Sequence, residues 1–267
     1  MKLGFPTRNY NCSDKYKIIF IHVPRTGGGT INQLLEIPKR YQGHRTPFEL
    51  RLCIDPVKWN EYKKIVVCRN PWDRMVSLYH YRISKGYDKN TGFSTENFND
   101  WLVNPGVRKC RAAVEWTPLF DVLNYPNLTE IKNNPTITDS EYKVSVIPFE
   151  TLSTSWVEWC LKNDMTELAE KSREHFKTTF INKTEREDYK KSYTDFGKIF
   201  VYGIFQIDAF TWGYDFELTG PPTFTTIRSN MAKKYNVPIE RINSQWVDLV
   251  MYGDGAARNF AKGDIKL

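Results

Sequence analysis

The sequence predicts an α/β fold, a central parallel β-sheet flanked by helices, on three observations. Three short, β-branched apolar runs, residues 17–23, 64–68 ("KIVVC") and 142–147 ("YKVSVI"), are bounded by polar or turn residues, as buried strands are. Each run is followed by a stretch with helical spacing. Strand–helix alternation of this kind lays successive strands parallel and puts the connecting helices on the faces of the sheet. A chain of 267 residues buries one large core, so a single domain is expected over 1–267, with 217–267 as a C-terminal appendage.

In chain order, the first strand opens the segment "KIIFIHVPRTGGGT", residues 17–30, and leads into a helix over 30–36. The second leads into a helix over 71–84, with Asn70 as N-cap and Pro71 at the first helical position. On that helix Met75, Leu78 and Tyr79 fall at core spacing, whereas Asp73, Ser77 and Tyr81 share another face. The third strand leads into a helix over 152–161. Residues 125–140, rich in Pro, Asn and Thr, read as a surface loop. Two later helices are expected. One, over 184–193, is polar; the other, over 196–212, repeats Phe200, Ile204, Ile207 and Phe210/Thr211 and is predicted to pack on the sheet. The stretch "LTGPPTF" then breaks the pattern.

Composition narrows the class. Hydrophobic residues at 40% and charged residues at 26% are ordinary globular values. Aromatics at 15% suit a ring-rich core, or a cleft lined for a base or a sugar. The net charge of +7 attracts anionic partners, but the basic residues are dispersed, so no nucleic-acid stripe is expected. Cys12, Cys53, Cys68, Cys110 and Cys160 form no C-x-x-C pair and read as free thiols in a reducing compartment, Cys68 as a small buried hydrophobe. The N-terminal stretch lacks the apolar core of a signal peptide, and no apolar run is long enough to span a membrane. A cytoplasmic protein without membrane association is therefore expected, and the sequons at Asn11, Asn127 and Asn182 are coincidental.

The chemistry lies where the first two strands end. After the first, Pro24 turns the chain, Arg25 supplies a charge, and Gly27, Gly28 and Gly29 free the backbone before a helix near Thr30. That order aims backbone N–H groups and the positive end of a helix at one point, which suits a phosphate or sulfate. A plain glycine turn satisfies the same letters, and the Gly-Lys-Ser/Thr ending of a Walker A loop is missing. The second strand runs into "VVCRNPWDRMVSLYHYR", residues 66–82, with Arg69 at the strand end and Ser77 on the following helix, a second anion site. Two such sites at adjacent strand ends suit a ligand with two separated phosphates, bound at the C-terminal edge of a parallel sheet.

"FIHVPRTGGGT" resembles the 5′-phosphosulfate loop, and "VVCRNPWDRMVSLYHY" the 3′-phosphate motif, of sulfotransferases that use 3′-phosphoadenosine 5′-phosphosulfate (PAPS). The likeness is to the carbohydrate 2-O-sulfotransferase branch and its soluble microbial relatives. It extends through "VIPFETL", "INKTEREDY" and "WGYDF", over residues 17–216. The resemblance implies a P-loop-like sulfotransferase fold. It implies that Thr26, Gly27, Gly28, Gly29 and Thr30 cradle the 5′-phosphosulfate, and that Arg69 and Ser77 hold the 3′-phosphate. Arg25 stands where the family usually has Lys, beside the leaving oxygen. Arginine keeps the charge stabilisation there but cannot release a proton. Gly29 also departs from the family's hydroxyl pair. Lys183 and Arg186 are implied to close over the nucleotide. The implied reaction is in-line transfer to an acceptor hydroxyl, on a glycan or a small molecule, with PAP as product and no metal.

Such a transfer needs a base. His44, in "YQGHRTPFEL", matches the place of a histidine base in the resembling enzymes; an ordinary loop histidine is the alternative. Of the others, His22 reads as packed in its strand, His80 as structural and His175 as solvated, while Glu150 reads as a hydrogen-bonding carboxylate with the base role as second choice. Lys39, Arg40 and Arg45 flank His44 and either meet an anionic acceptor or are simply solvated. Two other classes stand beside the transferase: a P-loop kinase or NTPase, which needs a loop lysine and an acidic Mg²⁺ ligand, and a non-catalytic anion- or glycan-binding protein.

Overall fold

The computed structural model describes residues 10–86, 97–103, 115–116, 118–119, 144–178 and 187–217. Its centre is a sheet in the spatial order β1 (Cys12–Ser13), β2 (Ile18–Ile21), β3 (Lys63–Cys68), β4 (Val144–Pro148). Strands β2, β3 and β4 are parallel neighbours, with Ile21 opposite Val66 and Cys68 opposite Pro148; the short β1 pairs antiparallel to β2. The three expected strands are thus adjacent and parallel. Among the described residues the helices are α1 (Gly28–Leu34), α2 (Pro47–Cys53), α3 (Pro56–Glu61), α4 (Pro71–Ser84), α5 (Phe98–Val103), α6 (Leu152–Lys162), α7 (Thr166–Thr178) and α8 (Asp195–Thr211).

Strand alternation builds two cores. Ile18, Phe20, Ile65 and Val67 point to one face and pack with Ile31 and Leu34 of α1, Trp156 of α6 and Leu168 of α7. Ile19, Ile21, Val66 and Cys68 point to the other and pack with Met75 and Leu78 of α4, Trp101 of α5, and Val201 and Phe205 of α8. Because β2 and the Ile65–Cys68 part of β3 are buried on both faces, those stretches are unbroken apolar runs.

Several elements differ from the sequence expectation. The first helix starts at Gly28 rather than Thr30. Helix α8 packs chiefly on α4 and α5 rather than on the sheet, and it bends at Phe205, whose backbone leaves the helical region. The polar helix expected over 184–193 is, in its described part, a single 3₁₀ turn at Tyr189–Ser192. Tyr189 donates to Phe216 O and Tyr193 to Trp72 O, and these anchors draw the chain across the end of α4. The loop over 125–140, Cys110, Lys183, Arg186 and all of 217–267 beyond residue 217 lie outside the described residues.

Candidate active site

Strands β2, β3 and β4 end at one edge, so the segments that follow them face a common cleft of about 760 Å³, within the range of small-molecule sites. From the end of β2 come His22, Arg25 and Gly27–Thr30; from β3 and α4 come Arg69, Asp73, Ser77 and Tyr81; beyond β4 come Phe149 and Glu150.

The glycine loop has specific backbone demands. Gly27 adopts φ +79° and sits against Phe149 and Leu152, so a side chain there meets both strain and contact. A Cβ on Gly28 would overlap the His22 ring. Helix α1 then begins with Thr30 N–H and Ile31 N–H bonded to Gly27 O. Thr26 is buried, and its hydroxyl donates to Val23 O at 2.9 Å, closing the turn from within. That side chain is therefore committed to the loop, whereas Gly27, Gly28, Gly29 and Thr30 line the cleft.

The two expected anion sites are joined. Arg25, in a left-handed conformation at φ 64°, donates from Nε and Nη2 to Ser77 Oγ at 3.1 and 3.0 Å, and its guanidinium lies over the Tyr81 ring. Arg69 pairs with Asp73 at 2.6 Å, donates to Arg25 O at 2.6 Å, and lies over the Phe149 ring. Arg74, fully buried, donates to Pro24 O and Glu115 O and so ties the loop to α4. Burial pushes its pKa down to about 10, and the nearby Asp208 carboxylate opposes that shift. Asn70 caps α4 by accepting from Trp72 N–H and Asp73 N–H, as its position predicts.

Glu150 has both oxygens engaged. Oε1 accepts from Asn70 N–H at 2.7 Å and Oε2 from Tyr214 OH at 2.8 Å. Burial raises its pKa, and those hydrogen bonds oppose the rise. Cys68, buried as expected, has its thiol pushed up to about 12 by burial and stands 3.4 Å from Tyr214 Oη. Because the single Tyr214 proton goes to the carboxylate, the thiol is the donor in that contact.

The histidines regroup. His44 and His22 face each other across the cleft wall, ring centroids 4.3 Å apart, and His44 Nδ1 lies 3.0 Å from His22 O. A carbonyl only accepts, so Nδ1 carries the proton and the lone pair of neutral His44 is on Nε2. His44 is exposed along one edge, yet the surrounding protein disfavours its charge. Desolvation lowers its pKa, the hydrogen bond to His22 O and the Glu115 carboxylate raise it, and Arg74 lowers it further. His22 is packed as expected, stacked on Phe20, but it lies just past the strand: β2 stops at Ile21, and the ring also lines the cleft. Burial, with a smaller effect of His44, pushes its pKa down to about 3. His175 is half-buried with Nε2 enclosed, not solvated, and His80 lies edge-on to Tyr79. Arg40 and Arg45 stack on Tyr41 and Tyr10, outside the cleft lining.

Sequence reasoning missed His22, Gln42 and Glu115 as cleft residues. Only His22 carries a signal, its place two residues before the turn at Pro24. Among the described residues no helix is long and apolar enough to cross a membrane, and no cluster of His, Cys, Asp and Glu is arranged to hold a metal.

A protein-family model described as the sulfotransferase family matches residues 8–215, which takes in β1 through the end of α8 and both anion loops. No curated protein and no solved structure matches the chain. With one family model covering most of its length and the cleft built from that matched region, the chain belongs to the sulfotransferase family, whose domain carries sulfuryl transfer.

Proposed function

We propose that the protein transfers the sulfuryl group of PAPS to an acceptor hydroxyl, of a glycan or a small molecule, and releases PAP. The observation that carries this reading is that the ends of β2 and β3 bring Arg25 and the Gly27–Thr30 loop into one cleft with Arg69 and Ser77. A donor with separated 5′ and 3′ anionic groups matches two adjacent cationic sites better than a single phosphate does.

PAPS supplies a sulfuryl group attached to a phosphate leaving group. In this reading Gly27, Gly28, Gly29 and Thr30 hold the 5′-phosphosulfate, where absent side chains let the backbone approach. Arg69 and Ser77 hold the 3′-phosphate, which competes with Asp73 for the guanidinium. Arg25 stabilises the negative charge that develops on the departing phosphate oxygen, without giving up a proton. His44 takes the acceptor's proton at Nε2 as the new S–O bond forms. Its lowered pKa keeps it neutral, and so basic, at neutral pH.

The test is release of PAP from PAPS across a panel of hydroxyl acceptors, with ATP as a control donor. Acceptor-dependent PAP formation that Arg25→Ala removes supports the reading. Equal use of ATP, or an Arg25→Ala variant that turns over normally, contradicts it.

A further inference from the structure

We propose that His22 is a second working imidazole of the transfer, a neutral N–H donor that holds the sulfuryl oxygens from Nε2 while His44 acts as base. The inference rests on the PAPS reading of the cleft. The ring follows β2 directly and is fixed on three sides. It stacks on Phe20, with centroids 5.3 Å apart and planes at 20°, and faces the His44 ring on the cleft side. Its Nε2 edge fills the space above Gly28 that a Cβ would need, so the imidazole edge rests on the phosphosulfate loop itself. The third anchor is Asn32, whose side-chain amide lies 3.4 Å from His22 Nδ1. With that amide turned to donate, Nδ1 accepts and the one proton of the neutral ring sits on Nε2, at the loop, which is the tautomer the proposal requires.

That places an N–H donor against the loop at Gly28 and beside the ring of His44, next to both groups between which the sulfuryl group is transferred in this reading. During transfer the acceptor O–S bond forms and the S–O bond to the 5′-phosphate breaks. The electron pair of the broken bond stays on the phosphate, and the acceptor's proton goes to His44. His22 keeps its proton throughout. A neutral donor suits this place because it orients the sulfuryl oxygens without adding an ionisable proton beside the leaving group. The same arrangement explains why Gly28 must lack a side chain: the space belongs to the imidazole.

Two variants test it, His22→Phe, which keeps a ring of similar size without the N–H, and His22→Gln, whose amide reaches the Nε2 position. PAP is the discriminating probe because it lacks the sulfuryl group. Turnover of PAPS, with water or a panel hydroxyl as acceptor, is expected to fall about 100-fold in His22→Phe. His22→Gln should recover most of that loss, and calorimetric Kd for PAP should stay within about twofold in both variants, since the loop is intact. The acid limb of the pH profile should stay where the parent has it, because His44 still titrates. A ¹⁵N spectrum of the imidazoles should give the Nε2–H form for His22. Parallel loss of PAP affinity and turnover would make the ring scaffolding and overturn the proposal, as would unchanged turnover in His22→Phe or an Nδ1–H tautomer. Failure of the parent protein to bind PAP would instead overturn the PAPS reading on which the inference stands.

Discussion

In the proposed transfer, His44 illustrates how a side chain's role follows from its neighbours. The His22 carbonyl fixes its tautomer, and desolvation lowers its pKa, so the base form persists below the ordinary histidine range. Activity should therefore rise with pH through a midpoint below 6.5, and His44→Ala should lower turnover about 100- to 10,000-fold with PAP affinity unchanged. A kcat/KM profile with its acid midpoint at or above 6.5 would show that the cleft does not depress this group. His22 makes a stability prediction. Its native pKa near 3 lies below the unfolded value, so the unfolded chain binds the extra proton as pH falls. Stability from this residue is complete above about pH 6.5 and declines by about 1.4 kcal/mol per pH unit below it, toward pH 3. Urea unfolding at pH 7 and pH 5 should show a smaller loss in His22→Phe than in the parent. Of this pair, the sequence pointed to His44 only through family likeness. It sets His22 inside its strand because Val23 resumes the apolar pattern past the true strand end at Ile21.

At the scale of elements, the strand-to-helix junctions carry stability and line the candidate site. Asn70→Ala removes the cap of α4 and the bond from Asn70 Nδ2 to Asp215 O, and should cost about 2 kcal/mol in urea unfolding. Gly28→Ala forces a methyl group into the His22 ring, and should cost about 1–3 kcal/mol and weaken PAP binding together. A Gly28→Ala variant with parental stability and affinity would show that the ring does not occupy that space. The same junctions were the most legible part of the fold, because buried parallel strands, Asn-Pro caps and glycine turns all write themselves locally. The short helices α2 and α3 were not found, although each begins with a capped proline. Thr46 and Glu49 form a full capping box and Asp55 caps Val57 and Lys58. Their six or seven residues are too few to establish a hydrophobic period. The polar run over 184–193 predicts a helix because the anchors that shape the turn at Tyr189–Ser192, Phe216 and Trp72, are remote in sequence.

For the molecule as a whole, the sheet does the positioning. Parallel β2 and β3 deliver Arg25 and Arg69 to one edge, and Arg69 donates to the carbonyl of Arg25, so the two positions are tied together. The overall +7 charge favours anions but gives no preference among them; in the proposed reading, preference comes from the pairing of the two sites. The most direct measurement is calorimetric titration with PAP and with ATP at identical salt, on the parent protein and on Arg69→Ala. PAP should bind at least about tenfold more tightly than ATP, and Arg69→Ala should abolish that preference, since it rests on a charge-assisted contact to the 3′-phosphate. Equal or tighter binding of ATP, or a preference that survives Arg69→Ala, would contradict a site built for a 3′-phosphorylated sulfuryl donor.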